Sequence, residues 1–442
     1  MQNIVSFFAR DSMLFPRNHT QRFDLNHELH ARPFAELRPP ARASYLALIA
    51  GEAIKPVEQQ CLAGLCARYD RPPPSIAGSH FSADLGLFQI KWERHTEFTS
   101  YAFFDNAPLT LQSSFADPVI DLVPQEWLAS LPGTVIAAAH VAVLPAAAGP
   151  APAEEIAPLF GGNPIVGARI GEGAGVAYTD FRIHGDGFSR FLIFDVHLTS
   201  RQAGRMLQRM LEIETYVMQA LLTFPLARSL LPELAVCDRQ LVEITTRMAE
   251  AVPVDEPVLL DQLTKLAAKI EHSVSSTHYR FGAARAYYAL VERRIAELRE
   301  IRIEGVQTFG EFTERRLAPA MNTCESVARL QSALSERINR ASQLLRTRVE
   351  VTREQQNQAL LASMDRRARL QLRLQQTVEG LSVAAVTYYT VGLIGYLAKA
   401  GKTLGVALNP DLVMAAAIPL VALLAAFGVR HIRRAVSREV GR

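Results

Sequence analysis

Cysteine is scarce in this chain of 442 residues, which contains four cysteines: Cys61, Cys66, Cys237 and Cys324. Even the nearest pair, Cys61 and Cys66, lacks the tight spacing of zinc-binding or redox-active cysteines. The sequence therefore argues against a disulfide scaffold and against a cysteine zinc site. It indicates reduced, buried thiols in a reducing compartment.

A large net charge is also missing, because 47 basic residues face 44 acidic ones and leave a formal charge of +3. This balance argues against a nucleic-acid partner that would bind across the whole surface. The average hides an asymmetry along the chain. Residues 381–442 contain seven basic and two acidic residues, whereas residues 1–380 contain 40 and 42.

Complete catalytic motifs are absent. Lys402 lies in a Gly-Lys-Thr tripeptide like the end of a P-loop, but the first glycine of that motif is misplaced. Gly171, Gly173 and Gly175 precede a predicted strand instead of opening a helix, so they form no dinucleotide fingerprint. A GxSxG nucleophile motif does not occur. These absences favour a protein that is not an enzyme and has no cofactor.

Residues 1–198 predict an α+β cytoplasmic domain with an N-terminal arm. The arm is followed by a helical pattern over 41–69, and strand-like runs begin at residue 85. These runs cover 85–92, 96–104, 135–144, 165–170, 176–183 and 188–196. Turn residues between them indicate a mostly antiparallel sheet.

Helices are predicted for the rest of the chain, as a bundle over 199–321 that begins at the N-cap Thr199, and as a long stalk helix over 322–380. The stalk has no proline and no glycine before Gly380. Its apolar seam steps by three, four and four residues through Val327, Leu330 and Leu334, an eleven-residue period. Two alternatives stay open for this helix: packing within the chain, or self-association as a coiled coil in a homo-oligomer.

Two uncharged stretches of 18 residues, 381–398 and 412–429, follow the stalk. Each spans about 27 Å as a helix, close to the roughly 30 Å of a bilayer core. We therefore predict a transmembrane hairpin over 381–429 with the lipid bilayer as its partner. A basic tail over 430–442 completes the chain.

Basic residues at the two ends of the hairpin predict its orientation. The loop between the spans has only two lysines and one aspartate, so the positive-inside rule places both chain termini in the cytoplasm of a two-pass inner-membrane protein. The residues that set this topology are Arg366, Arg367, Arg369 and Arg373 before the hairpin and Arg430, Arg433 and Arg434 after it.

The first span contains the polar residues Thr387, Tyr388, Tyr389, Thr390 and Tyr396, of which Thr387, Tyr389 and Tyr396 are the candidate functional ones. One interpretation is hydrogen bonding between helices and anchoring in the aromatic belt. The other is a polar pathway through an oligomer.

Two polar clusters are candidate metal sites. In a regular strand, Glu93, His95 and Glu97 would share one face and could bind a divalent cation or perform acid–base chemistry. The alternative is a polar sheet face paired with arginine, or a turn within this run. The other cluster, His27 and His30, precedes Arg32-Pro33, which disfavours a helix and favours a docking arm.

Five segments resemble those of the bacterial family called domain of unknown function 3422. The resemblance extends from about residue 20 to residue 400, and it implies a membrane-anchored bacterial protein without an assigned activity. The segments are 26–33 (NHELHARP), 92–98 (WERHTEF), 211–216 (LEIETY), 280–283 (RFGA) and 375–382 (QQTVEGLS).

The order of parts also resembles the plan of CorA-type magnesium channels, in which a cytoplasmic head leads through a long helix into two spans. The Gly-Met-Asn signature of those channels is absent, since Tyr396-Leu397-Ala398-Lys399 stands in its place. The sequence thus predicts a membrane-anchored, cytoplasm-facing binding or scaffold module with a protein partner for its head. The alternative is an oligomeric cation channel or transporter.

Overall fold

The computed structural model describes residues 18–23, 25–26, 34–51, 54–75, 78–146, 151–250, 256–403 and 409–439. These residues form two compact units. The first, here called the head unit, comprises Met1–Val254 and Asp261–Arg340. The second, the stalk–hairpin unit, comprises Asp255–Leu260 and Ala341–Arg442.

The head unit contains a mixed sheet of nine strands in the order β2-β3-β4-β1-β5-β8-β7-β6-β9. All neighbouring strands are antiparallel except β5 and β8, which are parallel. This sheet, followed by long helices, agrees with the predicted α+β head and helical region. The strands are β1 Ala41–Ile49, β2 His80–Asp84, β3 Gln89–Arg94, β4 Phe98–Asp105, β5 Thr134–Pro145, β6 Val166–Ile170, β7 Gly175–Thr179, β8 Ser189–Asp195 and β9 Ile301–Arg302.

The helix predicted over 41–69 is wrong in its first half, which forms the central strand β1, and correct in its second half, α1 Lys55–Arg68. β1 pairs with β4 on one side and with β5 on the other, and nearly all of its residues are buried. Because both faces of the strand are covered, its sequence ARASYLALI does not alternate between apolar and polar residues. A continuous run of alanine and leucine then resembles a buried helix.

Helical layers cover both faces of the sheet. On one face, α1 and α2 Gln125–Ala129 pack over a core that includes Trp92, Tyr101 and Phe103. The short helix α3 Ala153–Ile156 and the 3-10 turn after it cover the other half of this face. On the opposite face lies α4 Ser200–Leu221, which begins at Thr199 with a capping box to Gln202, as the N-cap prediction requires.

The remaining helices are α5 Thr223–Ala249, α6 Glu256–Leu298, α7 Phe309–Arg316, α8 Ala318–Thr403 and α9 Pro410–Glu439. The head unit continues past residue 198, the predicted end of the α+β domain. α4 packs on β5 and β8, and β9 pairs with β6 from beyond α6.

The apolar seam of α8 differs from the predicted eleven-residue period. From Cys324 onward, its buried positions in the head unit are Cys324, Val327, Gln331, Leu334 and Ile338, which alternate by three and four residues. At this position of the seam, Gln331 is buried instead of the predicted Leu330. Its amide can be buried because it donates to the hydroxyls of Ser273 (2.8 Å) and Thr277 (3.2 Å) on α6. Leu360 lies three eleven-residue periods after Val327, and so on the predicted seam, but its side chain is exposed.

In the stalk–hairpin unit, the end of α8 packs against α9. Val391 and Ile394 contact Met414, Ala417 and Val421. A Cβ atom added to Gly395 would lie 2.4 Å from the sulfur of Met414, so a larger residue at this position would require the Met414 side chain to move.

Three described helical stretches are long and apolar enough to cross a membrane: Ser200–Ala249, Phe309–Gly401 and Pro410–His431. They differ in the share of their apolar window that is buried inside the protein. In the first stretch, 33% of the apolar window is buried, and α4 within it packs on the sheet. In the other two stretches the buried share is 11%.

Candidate functional site

A cavity of about 460 Å³ lies at the end of the sheet where β1 stops and β3 turns into β4. This volume is within the range of small-ligand sites, about 300–1,000 Å³. The residues that line it come from the β1–α1 connection, α1, the β3–β4 region, α4 and α6. They are Ala50, Gly51, Lys55, Glu58, Ser79, Arg94, His95, Thr96, Phe98, Thr99, Tyr216, Tyr287 and Leu290.

Glu93, His95 and Glu97 do not share a strand face, because β3 ends at Arg94 and residues 95–97 form the turn. Glu93 pairs with Lys91 at 3.0 Å, and the ring of His95 stacks on Phe98 at 4.2 Å. Glu97 pairs with Arg280 on α6. Over the described residues, no group of three His, Cys, Asp or Glu side chains is arranged to hold a metal ion.

The floor of the cavity is a buried ion pair between Arg94 and Glu58. The guanidinium donates from Nε (3.0 Å) and from a terminal nitrogen (2.8 Å) to Oε2 of Glu58, and it lies 4.9 Å from the ring centre of Trp92. Oε1 of Glu58 is buried and has no hydrogen-bond partner among the described residues. A donor on a ligand or a water molecule would satisfy this oxygen.

Two tyrosines, Tyr216 and Tyr287, also line the cavity. The rings of Tyr216 on α4 and Tyr287 on α6 lie 5.7 Å apart. Burial raises the pKa of both hydroxyls, and the neighbouring Glu97 carboxylate raises that of Tyr287 further. Both groups therefore remain protonated at neutral pH. The Tyr287 hydroxyl donates to Glu97, whereas the Tyr216 hydroxyl accepts from Arg294 and keeps its own hydrogen for a bound anion.

Arg280 on α6 fixes the β3–β4 turn against the helices. Its guanidinium donates to Glu97 at 3.0 Å, to the backbone carbonyl of Gln219 at 3.4 Å and to the hydroxyl of Thr223 at 3.3 Å. One side chain thereby connects the turn to α4, α5 and α6. The turn that positions His95 and Thr96 at the cavity is held by a partner 183 residues away in sequence.

Ser44 and His140, residue types that often occur together in catalytic sites, form a contact in the core. The Ser44 hydroxyl is 3.0 Å from Nδ1 of His140 and accepts the backbone N–H of Ile120 at 3.1 Å. His140 stacks on Phe188, and burial lowers its pKa to about 4. Both side chains are buried, so the pair joins β1 to β5 and reaches no substrate.

The polar residues of the first span lie on different sides of α8. Thr387 is half-buried and donates its hydroxyl to the carbonyl of Val383 at 2.7 Å. Tyr389 and Tyr396 are exposed. Their roles in a belt or a pathway stay predictions.

The described basic residues near the hairpin are exposed: Arg366, Arg367, Arg369, Arg373 and Arg430. Arg369 pairs with Asp365 at 2.6 Å. The side chains of Arg433 and Arg434 lie outside those that the structure describes, as do His27 and His30.

Sequence reasoning missed Lys55, Glu58, Tyr216 and Tyr287, which reach the cavity from separate elements. The only available signal was the set of segments that carries the family resemblance. Three of them meet here: 92–98 supplies the turn, 211–216 ends in Tyr216, and 280–283 begins with Arg280.

The comparison with known families supports that resemblance over nearly the whole chain. The model of the family described as "Protein of unknown function (DUF3422)" matches residues 17–436. No curated protein and no solved structure matches the chain. The chain belongs to the DUF3422 family.

Proposed function

We propose that this protein is a two-pass membrane protein that holds an anion-binding head at the cytoplasmic face of the inner membrane. The observation that carries the anchor is the exposed apolar surface of α8 and α9. Leu393, Leu397, Leu420 and Leu424 are each more than 60% exposed although they lie in the uncharged stretches of two helices that pack on each other. Such a surface is stable in hydrocarbon and unfavourable in water.

Charge supports the orientation of this anchor. Arginines precede the first span and follow the second, whereas Lys399 and Lys402 are the basic residues of the connecting loop. Under the positive-inside rule, the arginine-rich ends lie in the cytoplasm together with the head.

The chemistry of the cavity supports a small anion as the ligand of the head. Two cationic side chains, Lys55 and Arg94, line the cavity with a single carboxylate, Glu58. The Tyr216 hydroxyl adds a donor, and Oε1 of Glu58 adds a buried acceptor. A phosphate or carboxylate compound that also carries a hydroxyl or amino hydrogen would satisfy all of these groups.

Inorganic phosphate is the probe that tests this ligand class, since HPO₄²⁻ offers both charge and a donor. In detergent-solubilised full-length protein, phosphate is expected to raise the midpoint of thermal unfolding more than chloride at equal ionic strength, because it binds the folded head. Lys55→Met is expected to weaken phosphate binding about tenfold through loss of a charge-assisted hydrogen bond.

Lys265→Met is the matched control, because Lys265 lies outside this cavity and pairs with Asp261 at 2.7 Å. The control should retain the full phosphate effect. Equal shifts in the wild type and in Lys55→Met would contradict the assignment of the cavity to anions.

The channel alternative rests on Tyr389 and Tyr396, which α9 leaves exposed on the outer side of α8. In an oligomer these hydroxyls would line or seal a path between copies. Native mass spectrometry in nanodiscs separates the two proposals, because a monomer is incompatible with such a path.

A further inference from the structure

A second cavity, of about 320 Å³, lies in the head unit between the end of β7, the C-terminal part of α4 and α7. It shares no lining residue with the first cavity. Its walls are mostly apolar and consist of Val217, Met218 and Leu221 from α4, with Phe312 and Leu317 opposite. The three α4 side chains are half-buried, so they are open to an occupant.

The wall next to β7 is built with backbone strain. Phe181 has a φ of +50°, a conformation that aromatic residues rarely adopt. The side chains of Thr179 and Asp180 hold this turn by accepting the backbone N–H groups of Phe181 and Arg182, each at 3.2 Å. The Phe181 ring then stacks on Phe312 at 4.6 Å and closes one side of the cavity.

The polar group at the inner end of the cavity is Glu214, whose residue surface is only 4% exposed. Burial is the main cause that raises its pKa to about 7, and the nearby Asp180 carboxylate raises it further, whereas a hydrogen bond with Ser189 opposes the shift. Asp180 itself accepts from the amide of Asn163 at 2.8 Å and lies 3.0 Å from Nε2 of His184. Glu214 therefore presents to an apolar space a carboxyl group that is only partly ionised near pH 7.

The outer part of the cavity is positively charged, because the exposed Arg182 and Arg316 both line it. Apolar walls inside and two guanidinium groups outside match a molecule with an alkyl chain and an anionic head. We propose that this cavity binds a single-chain amphiphile whose chain lies along Val217, Met218 and Leu221 and whose anionic group is held by Arg182 and Arg316.

Octanoate is the first probe, titrated by calorimetry into the full-length protein in nanodiscs, with empty nanodiscs subtracted. We expect saturable binding that tightens about fifteenfold from hexanoate to octanoate, because two more methylene groups are buried. An eight-carbon lysophospholipid forms the second arm. Tighter binding of the lysophospholipid would assign the site to membrane lipids, and tighter binding of octanoate to free fatty acids; both support the site.

Two sets of variants locate the binding. Met218→Trp fills the cavity and is expected to weaken octanoate binding at least tenfold, whereas Met364→Trp, at an exposed position of α8, should have no effect. The double variant Arg182→Gln/Arg316→Gln alters only exposed side chains, so it retains the fold, and it should weaken binding about fivefold.

Three results would overturn the proposal. They are heat no larger than that of empty nanodiscs, the same octanoate affinity in wild type and in both cavity variants, and tighter binding of octylamine than of octanoate. The last result would mean that ionised Glu214 binds cations.

Discussion

A chain with two arginines in each span is expected to leave the membrane in alkaline carbonate. The substitutions are Val386→Arg and Leu393→Arg in α8 with Leu420→Arg and Leu424→Arg in α9, all at exposed positions. Each arginine near the centre of a span opposes insertion, so each span loses about 5–7 kcal/mol of insertion free energy. Flotation after carbonate treatment measures the result, because inserted protein floats with lipid and aggregates do not.

The control also carries four arginine substitutions, one of valine and three of leucine, but outside the spans: Val351→Arg, Leu360→Arg, Leu370→Arg and Leu374→Arg. These side chains are also exposed, and they precede residue 381 on α8. The control should float like the wild type. Equal flotation of the span variant would mean that 381–398 and 412–429 do not form the anchor.

Arg94→Met is expected to lower the free energy of unfolding of the head unit by about 3–5 kcal/mol, because it leaves the buried Glu58 carboxylate without its cation. Restoring neutrality with Glu58→Gln in the same chain should recover most of this loss. The two tryptophans of the chain, Trp92 and Trp127, both lie in the head core, so tryptophan fluorescence during urea unfolding in detergent reports this unit.

Arg201→Met is the matched control, since Arg201 pairs with Glu36 at 2.9 Å where both side chains are mostly exposed. Its effect should stay below about 1 kcal/mol. If Arg94→Met and Arg201→Met had equal effects, the buried pair would not stabilise the cavity floor.

Local patterns were sufficient where structure depends on neighbouring residues. The Thr199 cap, the long α8 and the two uncharged helical stretches all follow from short-range sequence features. The central strand β1 was misread because two covered faces erase the alternation that distinguishes a strand from a helix.

The candidate site was only partly predictable. The segment around His95 was singled out for two alternatives. The structure agrees with the alternative of a turn and pairing with arginine, since a turn separates Glu93 from Glu97, Glu93 pairs with Lys91 and Glu97 pairs with Arg280. The partners Lys91 and Arg280 occur at sequence separations of two and 183 residues, and only the sheet register and the α6 packing bring the second one near. The period of apolar residues and the spacing of motifs do not show which residues distant in sequence form an ion pair.

Cysteine labelling of the two ends of the first span is the most direct test of the anchored, cytoplasm-facing head. Lys399→Cys and Gln375→Cys are both exposed on α8, on opposite sides of 381–398. In spheroplasts, a membrane-impermeant maleimide is expected to label Lys399→Cys, and to label Gln375→Cys only after lysis, with the unsubstituted chain as background. Labelling of Gln375→Cys in intact spheroplasts, or protection of Lys399→Cys until lysis, would contradict the proposed topology.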